Sequence, residues 1–251
     1  MTVAVWFRND LRVHDNPALF EACRSTDNVI ALYLHTPEQW RDHGMGLNKQ
    51  RFILENVCCL SQDLAQLNIP LLAISVARFA DCAGVLAKIC REHSITALHC
   101  NEEYELNELR RDTQVFASLS RMGINVRRHQ DQVLLAPGSV LTGQGQPFRV
   151  FTPFKRCWLK LVQESSLQPL PVPKKRRAFA LTPTPVELIE SWVPAQPANA
   201  FWPAGSEEAL RRLDGFVEQR IEQYDLQRDF PSLDGTSQLS AYLAVGAISA
   251  R

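Results

Sequence analysis

The chain has 251 residues, of which 45% are hydrophobic and 22% are charged, as in an ordinary soluble globular protein of one or two domains. Lysine plus arginine and aspartate plus glutamate both number 27, so the formal net charge is zero. This balance excludes a globally basic nucleic-acid-binding protein, so any contact with nucleic acid must come from a local patch.

The amino-terminal residues 2–7 form a short apolar run of β-branched and aromatic residues, which predicts a buried strand. The run leads straight into Arg8, Asp10 and Arg12, which we expect to form a structural ion-pair network. It has no basic region or small-residue cleavage site, so it is not a signal peptide. No segment approaches the ~18 apolar residues of a membrane helix. The seven cysteines form no C-x-x-C pair, which favours reduced thiols in a cytoplasmic protein over disulfides or a metal site.

Strands and helices alternate through the first half of the chain. The hydrophobic pattern predicts further strands at 29–34, 70–76, 96–100 and 124–127, and helices at 18–24, 48–67, 79–93 and 105–122. This alternation indicates an α/β fold in residues 1–131, a doubly wound five-stranded parallel sheet. Such sheets bind ligands beyond the carboxyl ends of their strands, which directs attention to residues 8–15, 35–46 and 101–108. No glycine motif follows the first strand, so a conventional dinucleotide-binding fold is disfavoured.

Residues 132–205 have little periodicity apart from a predicted helix at 154–164. Most of the prolines fall between 165 and 205, which predicts a long interdomain connector laid over a surface. Within it, the run Lys174-Lys175-Arg176-Arg177 could form a nucleic-acid patch, although a solvated charge run in a linker is the favoured interpretation.

The last segment, 206–251, begins with a helix that Ser206 is expected to cap, with acidic residues in its first turn. Its predicted buried face comprises Leu210, Leu213, Phe216, Val217, Arg220, Ile221 and Tyr224. Further on, Thr236, Ser237 and Ser240 offer hydroxyls before another predicted helix. Hydroxyls and free backbone N–H groups at a helix N-terminus suit a phosphate. The alternative is a plain N-cap, made by Thr236 or Ser237, on a helix that runs through Leu243.

Several motifs occur in order along the chain. They are Phe7-Arg8-Asn9-Asp10-Leu11-Arg12-Val13-His14-Asp15-Asn16, Phe151-Thr152-Pro153-Phe154-Lys155, and Arg228-Asp229-Phe230-Pro231 followed by Thr236-Ser237-Gln238-Leu239-Ser240 and Gly246-Ala247-Ile248-Ser249-Ala250-Arg251. Together they resemble the DNA photolyase/cryptochrome family, and most closely its folate-type class I cyclobutane pyrimidine dimer photolyases. The resemblance covers the whole chain but only about the first half of a typical member.

The resemblance implies an antenna-binding α/β domain at 1–131, a connector at 132–205 and the beginning of an all-α FAD domain at 206–251. In such proteins, reduced and photoexcited FAD donates an electron to a cyclobutane pyrimidine dimer and splits it. The implied cofactors are FAD and a methenyltetrahydrofolate antenna, with deazaflavin as the alternative antenna. The implied partner is UV-damaged DNA, and we expect a monomer with no metal and no membrane attachment.

The resemblance also implies roles for residues of the last segment. Tyr224 would line the FAD cavity, and the flavin phosphates would be held by Thr236, Ser237, Gln238, Leu239 and Ser240. Gln238 departs from the basic residue often found at its position, so part of the charge neutralisation is missing. Arg228 would contact the DNA backbone near the lesion, and the alternative is a salt bridge to Asp229 or Asp225.

The antenna residues implied by the resemblance are Asn107 and Glu108. An amide and a carboxylate suit the edge of a pterin, which presents both donors and acceptors. The alternative is that they only cap the helix they begin. His43 could help to close this pocket, but a solvated loop histidine is the favoured interpretation.

No catalytic residue is expected within these 251 residues, because the family's remaining flavin and lesion contacts lie further along its members. We therefore expect a fragment of a photolyase that is inactive by itself. A cryptochrome-like blue-light photoreceptor and a stand-alone folate-binding α/β module remain the alternatives.

Overall fold

The computed structural model describes residues 1–165, 167–178, 180–195 and 202–251. Its strands are β1 (Thr2–Phe7), β2 (Asn28–His35), β3 (Leu71–Ser75), β4 (Ile95–Asn101) and β5 (Asn125–His129). Its helices are α1 (Pro17–Ser25), α2 (Pro37–Asp42), α3 (Leu47–Gln66), α4 (Cys82–Glu92), α5 (Leu106–Arg121), α6 (Phe151–Glu164), α7 (Val186–Glu190), α8 (Ser206–Gln219), α9 (Tyr224–Gln227) and α10 (Ser240–Val245). Among these helices, none has the length and apolar character needed to span a membrane.

The five strands form one parallel sheet in the order β3-β2-β1-β4-β5. The chain winds outward from β1 through β2 to β3 on one side, then crosses to β4 and β5 on the other. The strand order therefore reverses between β1 and β4, where such folds form a crevice. This sheet confirms the predicted α/β fold class.

Both faces of the sheet are buried, which explains why β1 is a continuous apolar run. Val3, Val5 and Phe7 point into a core shared with α1 and α3. Ala4 and Trp6 point into a second core shared with α4 and α5. The helices thus lie on the two faces in pairs, as doubly wound folds require.

The connector packs more closely than a surface linker would. The backbone N–H of Thr184 donates to the carbonyl of Leu71 (2.8 Å), and its hydroxyl accepts from the N–H of Ala73 (2.9 Å). These bonds cover the otherwise open edge of β3, which would be a site for aggregation. On α7, Ile189 is fully buried in the core beside α3. The short helices α2 and α7 escaped prediction because five or six residues give no readable period.

One member of the basic run is structural. Arg176 pairs with Asp27 (3.2 Å) and donates to the carbonyl of Thr26 (3.2 Å), and its side chain is 13% exposed. Lys174, Lys175 and Arg177 in the same run are exposed. Connector positions 166, 179 and 196–201 lie outside the described residues.

Two expectations for α8 are wrong. Gly205, at φ 109°, is the N-cap, whereas Ser206 is already helical and its buried hydroxyl has no partner in the described part of the chain. Much of the predicted buried face is exposed: Leu210 and Val217 face solvent within α8 itself, and after Gln219 a 3-10 turn rotates the chain. Val217, Ile221 and Tyr224 are 40–49% exposed, and of the apolar set only Leu213 packs against the core.

The last helix, α10, packs directly on the α/β domain. Tyr242 is fully buried and meets the ring of Phe52 edge-on at 5.3 Å. The N–H of Leu11 donates to the carbonyl of Val245 (3.1 Å). The helix begins at Ser240 after Leu239, so the plain cap by Thr236 or Ser237 is not what the structure has.

Candidate functional site

Four charged side chains fill the crevice at the carboxyl ends of β1 and β4. Arg8 pairs with Asp112 (3.0 Å), and Arg111 pairs with Glu103 (2.6 Å). All four are buried, and the guanidinium of Arg8 lies 4.5 Å from the ring centre of Trp6. Burial by itself would raise the pKa of Glu103, but the two guanidinium groups hold that pKa below its usual value. The crevice is therefore occupied by a paired network, as expected for Arg8.

A second buried cluster joins the first strand's loop to the end of the chain. Arg12 pairs with Asp131 and donates to the carbonyl of Gly246 (3.1 Å). Arg251 pairs with Asp15 (3.0 Å) and with Asp131 (3.0 Å). These ion pairs hold residues 246–251 against the α/β domain.

Asp10 joins this buried polar network through hydrogen bonds, not through an ion pair. It accepts from the backbone N–H of Arg8 (2.7 Å) and from the amide of Asn101 (2.6 Å). Burial is the main cause that raises its pKa. The expected ion-pair network thus holds for Arg8 and Arg12, whereas Asp10 serves as a buried acceptor.

The antenna candidates lie beside the crevice, where α5 begins. The amide nitrogen of Asn107 is 3.4 Å from Nε2 of His43, and the amide nitrogen of Gln39 is 2.8 Å from the same atom. Each amide can donate a hydrogen bond to Nε2 when that ring nitrogen carries no proton. The N-cap of α5 is Glu105, so neither Asn107 nor Glu108 caps the helix. Glu108 is half-buried, and burial raises its pKa.

His43 was expected to be solvated. Its ring is exposed, yet it contacts Asn107 and meets Phe79 edge-on at 6.3 Å. Because 64 residues separate His43 from Asn107, no local sequence signal could have paired them. Two amides and an imidazole therefore lie within hydrogen-bond distance of one another, and Glu108 follows Asn107 on α5.

The predicted flavin residue Tyr224 is the first residue of α9 and is 40% exposed. Its ring meets Phe216 of α8 edge-on at 5.8 Å, and the guanidinium of Arg228 lies 5.7 Å from its centre. Arg228 also forms a 3.9 Å salt bridge with Asp229, in which both side chains are exposed. Such a long surface pair stabilises little, so Arg228 keeps its charge accessible.

The predicted phosphate-binding residues form a short segment before and at the start of α10. Thr236, Ser237 and Gln238 are half-buried, Leu239 is buried, and Ser240 is exposed. Gln238 has φ 54°, in the left-handed region, and its amide accepts from Arg212 of α8 (3.1 Å). Because α10 has only six residues, its dipole contributes little to binding an anion.

The structure therefore yields two groups of candidate residues. His43, Asn107 and Glu108 form one group on the α/β domain. Tyr224 and Gln238 both attach to α8, through Phe216 and Arg212 respectively. No local pattern singles out Arg212, because 26 positions of chain separate it from Gln238. Within the described residues, no cluster of three or more His, Cys, Asp or Glu side chains could hold a metal.

Comparison with known proteins gives consistent similarities. A model of the DNA photolyase family matches residues 3–174. The chain is 40% identical over its whole length to the deoxyribodipyrimidine photo-lyase of Salmonella typhimurium, and 41% identical over 98% of its length to that of Vibrio cholerae. Each match covers 53% of the relative, so the chain spans about half the length of the curated relatives it matches.

A solved photolyase structure is also similar to this chain over about half of its own length. The class III photolyase from Agrobacterium tumefaciens matches with a TM-score of 0.85 and 28% identity. The match covers 99% of this chain and 51% of that one. The likeness therefore continues beyond the sheet into α8, α9 and α10.

Proposed function

Since this chain belongs to the DNA photolyase family, we propose that the protein carrying it is a deoxyribodipyrimidine photo-lyase. Its substrate would be a cyclobutane pyrimidine dimer in UV-damaged DNA, and light would drive the repair. The observation that carries the proposal is the extent of the similarity. Relatives bearing that name match 98–100% of the chain, including the segment 206–251 with its candidate flavin residues.

We propose that FAD binds against α8, α9 and the segment 236–240. The exposed ring of Tyr224 offers an apolar wall for the cofactor. Thr236, Ser237 and Ser240 offer hydroxyls, while Gln238 and Leu239 offer their backbone. When bound, reduced FAD would supply the electron, and the residues of this chain would hold and orient it.

For the antenna we propose methenyltetrahydrofolate rather than a deazaflavin. The crevice between β1 and β4 is filled by the paired side chains of Arg8, Glu103, Arg111 and Asp112. The ring system of either antenna would have to separate these buried ion pairs to enter the crevice, so we place the antenna outside it. The open surface of His43, Asn107 and Glu108 requires no such rearrangement. Its mixed donors and acceptors match a pterin edge.

We propose that Arg228 contacts a DNA phosphate. Its side chain is about half exposed and its salt bridge is long, so a phosphodiester can compete for it. Replacing Arg228 with Gln should weaken binding to damaged DNA at low salt and reduce the salt dependence of binding. The matched control is Arg24→Gln, because Arg24 is an exposed arginine on α1 that pairs with Glu21. This variant should leave DNA binding unchanged.

The repair activity is tested by following dimers in irradiated DNA. The protein carrying this chain is loaded with reduced FAD and incubated with that DNA under blue light or in the dark. Loss of dimers only in the light is expected. Dimer loss in the dark would contradict the proposal. A light-driven spectral change without dimer loss would favour a photoreceptor of the cryptochrome type.

The antenna assignment is tested by titrating methenyltetrahydrofolate into the chain and following its near-ultraviolet band. Asn107→Ala and Glu108→Gln should each weaken binding about tenfold, the loss of one good polar contact. Glu105→Gln changes a neighbouring carboxylate and should have little effect. Binding of a deazaflavin with greater affinity would overturn the choice of folate. A folate band with no capacity for flavin would favour the stand-alone folate-binding module.

A further inference from the structure

A polar cavity of about 700 Å³ lies between α8 and the loop that leads to α10. Its polar lining includes Arg211, Arg212, Arg220, Asp234, Ser237 and Gln238. Three guanidinium groups and the carboxylate of Asp234 therefore line the same space, and Arg211 and Arg212 share one further carboxylate, that of Glu208. That excess of positive charge suits an anion with several oxygens.

Arg212 is held in place from three sides. Its Nε donates to Glu208 (2.8 Å), one turn earlier on α8. Its guanidinium carbon lies 5.6 Å from the ring centre of Tyr242, and Nη1 donates to the side-chain oxygen of Gln238 (3.1 Å). A guanidinium fixed in this way loses little entropy when it binds a phosphate.

Gln238 fits this arrangement. A left-handed backbone is uncommon for any residue other than glycine, and here it turns the amide between Arg212 and Asp234, to which it donates (2.8 Å). The family resemblance implies a basic residue at this position. In this chain the amide is neutral, and the positive charge that contacts it comes from Arg212 on α8.

Two neighbours keep the cavity open and rich in donors. Gly215, inside α8, has no atom within 4 Å of where a Cβ would stand. Glycine there costs about 1 kcal/mol relative to alanine, while the missing side chain leaves space beside Arg212. Arg220 pairs with Asp234, yet its buried Nε donates to nothing in the described part of the chain. That N–H remains for an oxygen of a bound anion.

We propose that Arg212 supplies, from α8, the positive charge that position 238 lacks, and that it binds a diphosphate together with Arg220 and Ser237. The identification of that diphosphate as the one in FAD rests on the proposed function. The site itself rests on the cavity, its charge and the contact between Arg212 and Gln238.

In the first test, inorganic pyrophosphate is titrated into the chain at low salt and its binding is measured by calorimetry. Arg212→Gln should weaken binding at least tenfold. Arg211→Gln should weaken it less than threefold, because Arg211 shares Glu208 as its partner but does not contact Gln238. Arg212→Lys, which keeps the charge, should retain most of the affinity. Absence of pyrophosphate binding by the unchanged chain, or equal losses in the Arg211 and Arg212 variants, would overturn the inference.

A rescue variant separates charge from structure. In Arg212→Gln/Gln238→Arg the cation moves from the helix to the loop, so pyrophosphate affinity should return to within threefold of the original. A structural role for Arg212 would not be rescued in this way. Failure of the rescue in a double variant with an unchanged circular dichroism spectrum would therefore contradict the inference.

The last test distinguishes this site from the flavin proposal. FAD and riboflavin are compared, since riboflavin lacks phosphates. Arg212→Gln should weaken FAD binding tenfold and leave any riboflavin binding unchanged. If pyrophosphate binds and depends on Arg212 while neither flavin binds, the anion site stands and the flavin role fails. Equal weakening of riboflavin and FAD would contradict a phosphate role for Arg212.

Discussion

Gly246 combines two constraints that only glycine meets. Its φ is 66°, and a Cβ there would come within 2.1 Å of the carbonyl oxygen of Asn9. The end of α10 can approach the loop after β1 only because position 246 has no side chain. The backbone contact between Leu11 and Val245 depends on the same approach.

Gly246→Ala should therefore destabilise the chain by about 3 kcal/mol or more, because it adds a clash to the cost of the left-handed backbone. Gly145→Ala is the matched control. Gly145 also has a positive φ (73°) but nothing within 4 Å of its Cβ position. Urea unfolding of both variants separates clash from backbone strain, and equal losses would refute this account.

His99 is a buried histidine stacked on His129 at 5.1 Å, with a 3.1 Å contact between ring nitrogens. Burial and the neighbouring His129 lower the pKa of His99 to about 4. Burial also lowers the pKa of His35 to about 4. Both rings are therefore neutral in the folded chain at pH values where the unfolded chain is already protonated.

The contribution of these two histidines to the free energy of unfolding should be complete above pH 6.5. It should fall as the pH drops towards 4, because the unfolded state then binds protons that the native state does not. Each histidine contributes a slope of at most about 1.4 kcal/mol per pH unit. Denaturant unfolding at several pH values should show a shallower slope for His99→Gln, and an unchanged slope would contradict this assignment.

At the scale of elements, the ion pairs around Asp131 connect β5, α1 and the end of the chain. Asp131 is buried between Arg12 and Arg251, and Asp15 pairs with Arg251 on the other side. The pKa of Asp15 lies below its usual value: burial would raise it, but hydrogen bonds and the charge of Arg251 outweigh burial. Acid should therefore weaken this attachment, because a carboxyl with a lowered pKa loses its contribution as pH falls.

Asp131→Asn should cost about 3–5 kcal/mol, since it leaves the buried Arg12 without its carboxylate. Glu92→Gln, which breaks the exposed pair with Lys88, should cost less than about 0.5 kcal/mol. Amide hydrogen exchange should also show α10 opening first in Asp131→Asn. Uniform loss of protection along the whole chain would show that the cluster is not a local attachment.

At the scale of the whole molecule, helices cover both faces of the parallel sheet. In contrast, α6 and the region around α9 present apolar side chains to solvent. Leu226, Phe230 and Leu233 are at least half exposed, and no residue of α6 is buried. Surfaces of this kind favour association.

Leu226→Gln/Leu233→Gln should reduce self-association at high concentration without lowering the melting temperature, because both side chains lose little burial. Leu86, fully buried beside the sheet, is the contrasting position, and Leu86→Gln should abolish folding. Light scattering and thermal melts measure the two effects. Unchanged association in the double variant would mean that these residues do not form the contact surface.

Much of the α/β domain could be predicted from sequence. All five strands and the longer helices between them, α1, α3, α4 and α5, follow from apolar runs, helical periods and caps such as Asn16, whose side chain accepts from the N–H of Leu19 (3.0 Å). These signals are local, because burial of a strand or helix face imposes a short repeat on the residues that form it. The prediction of α8 is wrong at both ends. Gly205, with its positive φ, caps the start of the helix, and a 3-10 turn interrupts the helical repeat after its end.

The sequence by itself therefore determined the α/β fold class and, through its motifs, the family. Only the tertiary structure decided which side chains meet. His43 reaches Asn107, Arg212 reaches Gln238, and Arg251 reaches Asp15 across 26 to 236 positions of chain. Contacts between such distant residues depend on how whole elements pack, and packing at that distance leaves no periodic trace in the residues themselves.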